Sequence, residues 1–180
     1  MRKDLRRWLR EVHDETGLTT LFVTHDQEEA MDLADRVAVL HAGRVEQIGS
    51  AQVLNEAPAS AFVFDFLGDS NRAPCRIDGA RAVFDGFSAP LAAPDDTARA
   101  TMAWFRPHET IVEQTGVGWP VTVTGRLAKS AIVRLECRDA AGAIFESDCP
   151  NDAPQADLNV GAEACLRPKR VFAFPDSSSG

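Results

Sequence analysis

The sequence changes character at Gly68, and that change constrains the fold more than any composition figure does. Ahead of it, Leu5, Trp8, Leu9 and Val12 recur at helical spacing among Arg, Lys, Asp and Glu, predicting an amphipathic helix over residues 2–15 with one buried stripe. Gly17 stops it. Residues 18–24 (LTTLFVT) form a short, β-branched, largely apolar run without polar alternation, the pattern of a strand covered on both faces in a parallel sheet. Asp26 is placed to cap a helix over residues 27–34, and Glu28 and Glu29 suit its positive first turn. His25 then stands at a strand's carboxyl end, the edge where ligands bind in open α/β sheets. Residues 36–41 and 44–49 predict a hairpin about Ala42-Gly43, followed by two short helices running to about Gly68.

Beyond Gly68, Pro, Gly and Asp become frequent and short apolar runs replace helical periodicity. Strands are expected at residues 75–77, 82–84, 101–106, 121–127, 132–138, 143–147 and 164–172. They are separated by turn pairs such as Asp78-Gly79, Asp85-Gly86 and Ala141-Gly142. Many short strands with close turns predict a small barrel or sandwich. The organisation expected is therefore an α/β part over residues 1–70, an all-β part over residues 71–174, and a disordered tail, PDSSSG, over residues 175–180.

A chain of 180 residues with 44% apolar content can bury a sizeable core. Its formal net charge of −8 argues against an electrostatic grip on nucleic acid or anionic lipid, both of which need clustered Lys and Arg. The N-terminus is charged throughout and lacks the apolar centre of a signal peptide, and no stretch approaches membrane-spanning length, so the expected compartment is the cytoplasm. Cys75, Cys137, Cys149 and Cys165 are widely spaced, with no CxxC pair and no neighbouring His, which reads as reduced thiols rather than a metal knuckle or redox dithiol. Glu28, Glu29 and Asp32 read as ordinary helix-dipole complements, not as metal ligands. Arg2, Lys3, Arg6, Arg7 and Arg10 make a basic face on the first helix, solvated or paired with Asp4, Glu11 and Asp14.

The run LFVTHDQEEAMDLADRVAVLHAGRVEQIGSAQVLNEAP resembles the end of the nucleotide-binding domain of ABC importer ATPases, over some thirty ordered residues rather than one short motif. Within that superfamily, Arg6-Arg7-Trp8-Leu9-Arg10, Gly68-Asp69-Ser70-Asn71-Arg72 and Phe105-Arg106-Pro107-His108-Glu109 are similar to ATP-binding subunits of the sulfate/thiosulfate import type. The resemblance is strong as far as Asn71 and looser across the β-rich half. It implies an α/β remnant of an ABC nucleotide-binding domain, followed by an all-β small barrel of OB/TOBE-like type with a regulatory or dimerisation role.

For the intact protein the resemblance implies ATP and Mg²⁺ as cofactors, and an ATP-hydrolysing translocase subunit that energises sulfate or thiosulfate uptake. The partners implied are membrane permease subunits, a second ATP-binding subunit in a homodimer and, indirectly, a periplasmic substrate-binding protein, with no nucleic acid. The implied location is peripheral, on the inner face of the bacterial cell membrane. His25 corresponds to the switch histidine that contacts the γ-phosphate, a task suited to an imidazole that donates to a phosphate oxygen while its other nitrogen is fixed.

The chain departs from the family pattern in lacking a GxxxxGK[ST] phosphate loop, an LSGGQ-like signature and an apolar strand ending in Asp-Glu. LFVTHD imitates the magnesium-binding strand, but His25 separates strand from Asp26 and Gln27 follows. In the family these motifs precede the helix that begins near Met1, so a truncated gene product, a deliberate fragment and a misassigned start all remain open. No ATPase activity and no tight nucleotide binding are expected of this chain alone. The apolar strand at residues 21–23 would have exposed edges, which predicts self-association or poor solubility.

Arg106 and His108 have the chemistry of an anion site, a guanidinium fork with a second donor beside it, but an Arg-Pro pair at a strand end also serves to brace a barrel. Trp104 and Phe105 read as core or interface residues. A second class of function stays open: a non-enzymatic oxyanion-sensing or dimerisation module over residues 72–174.

Overall fold

The computed structural model describes Glu15, residues 17–93 and residues 100–174. The expected helix over residues 2–15 and the expected disordered tail lie outside the described residues, Glu15 apart. The chain divides into two compact units, residues 1–67 and 68–180.

In the first unit, helix α1 (Gln27–Leu33) starts where the sequence places it. Asp26 accepts a hydrogen bond from the Glu29 backbone N–H at 3.0 Å, and Glu28 and Glu29 fill the first turn. Strands β1 (Val37–His41) and β2 (Arg44–Gly49) pair antiparallel about Ala42-Gly43, with a bulge between Val39 and Leu40. Helices α2 (Ala51–Glu56) and α3 (Ala61–Phe66) are each capped by a serine, Ser50 and Ser60. The Gln47 side-chain amide ties β2 to the loop between these helices, donating to the Ala57 carbonyl and accepting from the Ala59 N–H. Val39, Leu54 and Val63 form the buried centre of this unit, with Met31, Val37, Phe62 and Leu67 packed against it.

Residues 18–24 form no strand, contrary to the sequence expectation. A strand is a partnership: its N–H and C=O groups need a ladder on at least one side, and no neighbouring strand lies beside this segment among the described residues. Leu21 is 92% exposed and Val23 86%. The expected apolar strand edge is accordingly an exposed apolar segment instead.

The second unit is built from three antiparallel sheets around one continuous core. The largest runs in the order β11 (Ile144–Pro150), β10 (Ile132–Asp139), β9 (Trp119–Lys129), β12 (Glu163–Pro168), β8 (Thr110–Glu113). Its residues alternate as a half-buried sheet requires: Val133, Leu135 and Cys137 of β10 and Phe145, Ser147 and Cys149 of β11 point inward. A second sheet has the order β13 (Phe172–Ala173), β7 (Met102–Phe105), β3 (Asn71–Pro74). The third is a meander of β4 (Arg76–Asp78), β5 (Arg81–Phe84) and β6 (Phe87–Pro90). Trp119 joins the three, meeting Phe84 and Phe87 edge-on at 4.8 Å each and stacking on Phe145 at 5.0 Å and Phe105 at 5.8 Å.

Among the described residues no sheet closes into a barrel. The edge strands β8 and β11 of the five-stranded sheet are bridged by side chains instead: buried Thr110 donates its hydroxyl hydrogen to the Pro107 carbonyl at 2.7 Å and accepts from the Ser147 hydroxyl, with Oγ1 to Oγ at 2.6 Å. The expected single strand over residues 164–172 is two, because the chain leaves β12 at Pro168, where the imide has no donor to continue a ladder, and re-enters as β13 in the other sheet.

Cys137, fully buried on β10, has its thiol pushed up from the ordinary 9.0 to about 11, first by burial and then by the Glu136 carboxylate. The fold thus keeps a proton that the unfolded chain gives up. Stability from this group is intact below pH 9 and falls as pH rises from 9 to about 11. The expected loss is on the order of 2 kcal/mol. A Cys137→Val variant should flatten that part of the profile, measured as the difference in urea unfolding free energy between pH 8.5 and pH 11.

Candidate functional site

His25 occupies the bend between the exposed segment 17–24 and α1. Its neighbours are bound into the helix start. Thr24 Oγ1 accepts from the Asp26 N–H and donates to Glu29 Oε2, both at 3.0 Å, while Asp26 caps Glu29. This reciprocal capping between Thr24, Asp26 and Glu29 fixes the backbone on either side of His25 and leaves the imidazole exposed. The local sequence Thr-His-Asp-Gln-Glu-Glu is therefore self-sufficient as a presentation loop: everything needed to hold the histidine outward lies within six residues.

The second place of interest lies in the β-rich unit, where two distant stretches meet. Arg106 follows β7 and stands at the N-cap position of a 3-10 turn, Pro107–Glu109, that leads into β8. Its Nη1 donates to the Gly68 carbonyl at 2.7 Å and to the Asp69 carbonyl at 3.0 Å. His108 is exposed on that turn, and its backbone carbonyl accepts from Lys169 Nζ at 3.3 Å. Glu109 pairs with Arg170 at 2.6 Å. Arg106 thus donates to carbonyls of residues 68 and 69, whereas His108 meets Lys169 through its own backbone carbonyl.

The stretch from Gly68 onward is held at two further points that the sequence does not announce. Asn71, only 4% exposed, donates through Nδ2 to the Glu146 carbonyl and accepts at Oδ1 from the Glu146 N–H, both at 2.8 Å. One amide side chain therefore satisfies both backbone groups of a residue on the outer edge of β11, doing for that edge what a neighbouring strand would do. Asp69 reaches Arg134 on β10 at 2.6 Å, and Arg134 is also forked onto Asp148 with both contacts at 2.7 Å and bonded to Glu146 at 3.0 Å. The Asp148 hydrogen bond, with Asp69 and the charges of Asp148 and Glu146 adding to it and partial burial opposing, holds the guanidinium well above its ordinary value, so Arg134 stays charged. Arg134 sits directly across from Asp148, and its neighbour Glu136 sits across from Glu146, a like-charge pair that the guanidinium offsets.

Sequence reasoning singles out Arg106 and His108 but passes over Asn71 and Arg134. The usable signal for Arg134 is its outward position in the alternating run IVRLECR, facing acidic residues in the next run IFESDCP. For Asn71 there is none, since its partner lies 75 residues away. Replacing Asn71 by Ala should destabilise the β-rich unit by about 2 kcal/mol, because two part-buried backbone groups lose their partner. Asn71→Asp should recover only the half of the interaction in which Glu146 N–H is the donor. Denaturant unfolding followed by the fluorescence of Trp104 and Trp119 checks both.

The two stretches that meet here, Gly68–Arg72 and Phe105–Glu109, are those that carry the family resemblance in the second half of the sequence. Comparison with known proteins agrees. The chain is 40% identical over 176 residues to the sulfate/thiosulfate import ATP-binding protein CysA of Xanthomonas campestris pv. campestris, covering 97% of this chain and 50% of that protein. It is 40% identical over 178 residues to the protein of the same name from Methylococcus capsulatus, with 97% and 51% covered. With CysA 1 of Chromobacterium violaceum the identity is 44% over 182 residues, with 96% and 50% covered. No protein-family model matches. The chain spans about half the length of the curated relatives it matches. Over almost its whole length the chain is thus similar to about half of the sulfate/thiosulfate import ATP-binding proteins.

Proposed function

We propose that the chain is the C-terminal portion of an ATP-binding subunit that energises import of sulfate or thiosulfate, with the permease and a second ATP-binding subunit as its partners at the inner membrane face. The observation that carries this reading is the alignment of 97% of the chain with proteins of that name, together with the presented histidine in Thr-His-Asp-Gln-Glu-Glu. In this reading His25 is the residue of this chain that faces the γ-phosphate in the intact subunit. The β-rich unit is the accessory domain, an opened relative of the OB/TOBE type in which a side-chain bridge between Thr110 and Ser147 stands where a closed barrel would have a ladder.

The residues present do not by themselves fit ATP with Mg²⁺. The sequence has no glycine-rich phosphate loop, and among the described residues no group of three or more His, Cys, Asp or Glu is placed to hold a metal. Nor is any helix among the described residues long and apolar enough to cross a membrane. Catalysis in this reading needs the other half of the family's length.

The test is a fusion of this chain behind the preceding half of the Xanthomonas campestris relative, assayed for Mg²⁺-dependent ATP hydrolysis. The fusion should turn over ATP, the chain alone should not, and His25→Ala in the fusion should reduce turnover about a hundredfold. A folded fusion without turnover, or turnover by the chain alone, would overturn the proposal.

A further inference from the structure

Taking His25 as the group that faces the γ-phosphate, the reading on which this rests, we infer that Glu29 is its positioning residue and acts through the Thr24 hydroxyl. In an ordinary capping box the third residue of a helix returns its carboxylate to the N–H of the cap residue. Asp26 is the cap of α1 and Glu29 its third residue, but here a hydroxyl stands between them. The Asp26 N–H donates to Thr24 Oγ1, and Thr24 Oγ1 donates in turn to Glu29 Oε2, both at 3.0 Å. One hydroxyl can do both, having one hydrogen to give and lone pairs to accept with. The Glu29 N–H closes the circuit on Asp26 Oδ1 at 3.0 Å.

The relay enlarges the box by two residues, and the residue it takes in is His25. A direct bond from Glu29 to the Asp26 N–H would restrain the chain only from residue 26 onward. Packing would not hold what comes before, since Leu21 is 92% exposed and Val23 86%. Routed through Thr24, the same carboxylate ties residues 24 and 26 to one point, so both peptide linkages of His25 lie inside the ring. The imidazole stays exposed while its backbone is held, which is the arrangement a group that must meet a ligand at a set place requires. Glu28 supplies the contrast. It shares the first turn and its favourable position in the helix dipole with Glu29, but it is exposed and takes no part in the ring.

Backbone ¹⁵N relaxation in the full chain reads the restraint without any activity. The His25 and Asp26 amides should have order parameters near about 0.85 in the wild type, in Glu28→Ala and in Glu29→Gln, whose amide oxygen still accepts from Thr24. In Glu29→Ala and Thr24→Val they should fall below about 0.6, while the Ala30 and Leu33 amides keep their values and report an intact α1. Thr24→Val leaves every residue of the helix in place, so it carries the reading even if Glu29→Ala unwinds α1. Order parameters at residues 25 and 26 that hold in Thr24→Val, or that fall equally in Glu28→Ala, overturn the inference. In the fusion with the preceding half of the Xanthomonas campestris relative, Glu29→Ala should lower kcat for ATP about tenfold with KM nearly unchanged, and Glu29→Gln should restore most of it. An active fusion whose kcat ignores Glu29→Ala sinks the positioning role alone. An unaltered fusion that turns over no ATP sinks the importer reading of His25, and the role given to Glu29 with it.

Discussion

Gly118→Ala is expected to destabilise the β-rich unit by about 3 kcal/mol and to lower its melting temperature by roughly 15 °C. Gly118 begins the approach to β9 with φ +152°, beside the backbone of Leu166 on β12. A Cβ there would overlap the Leu166 carbonyl oxygen and stand 2.7 Å from its carbon and 3.2 Å from its nitrogen. These are backbone atoms of a paired strand, Leu166 being opposite both Trp119 and Val112, so neither can move aside as a side chain would. Relief requires shifting β9 against β12 at the point where Trp119 enters the aromatic cluster. The neighbouring Val117, 59% exposed, gives the control: Val117→Ala should change stability by less than about 0.5 kcal/mol. Thermal unfolding followed by tryptophan fluorescence separates the two, and equal effects would refute the backbone-overlap argument.

Arg134→Met is expected to cost about 2–4 kcal/mol. The loss concentrates on Asp148, which is 12% exposed and loses both arms of its fork. Asp69 and Glu146, at 61% and 40% side-chain exposure, can turn to water and add little. The cost is thus chiefly that of a nearly buried carboxylate left unpaired. Adding Asp148→Asn to Arg134→Met should recover about half of it, since the amide carries no charge to strand. A double variant no more stable than the single one would place the energy in packing of the arginine stem instead. Arg134→Lys, which keeps the charge but not the planar fork, should fall between wild type and Arg134→Met.

Much of the local architecture is legible from residues close together in sequence. The caps at Asp26, Ser50 and Ser60, the hairpin about Ala42-Gly43, and the hairpin pairings of β9 with β10 and of β10 with β11 each depend on contacts between residues no more than 18 apart. The loop that presents His25 is of the same kind, with Thr24, Asp26 and Glu29 completing it locally. Residues 18–24 mark the limit of such reading. Their apolar, β-branched pattern states a preference for a strand, but a strand forms only against a partner, and the pattern carries no information on whether that partner is present.

The sequence by itself determined the β-rich character of the second unit and the resemblance to importer ATP-binding subunits, because each is a matter of local pattern or of ordered residue identity. Tertiary structure alone decided that no sheet closes and that residues 163–173 cross from one sheet to another. It also decided that residues 68–71 are held by Arg106 from 38 positions away, by Arg134 from 65 and by Asn71 reaching across 75. The physical reason is the same in each case: a hydrogen bond or ion pair has a short reach in space and none along the chain, so groups this far apart in sequence meet only after the sheets between them have folded.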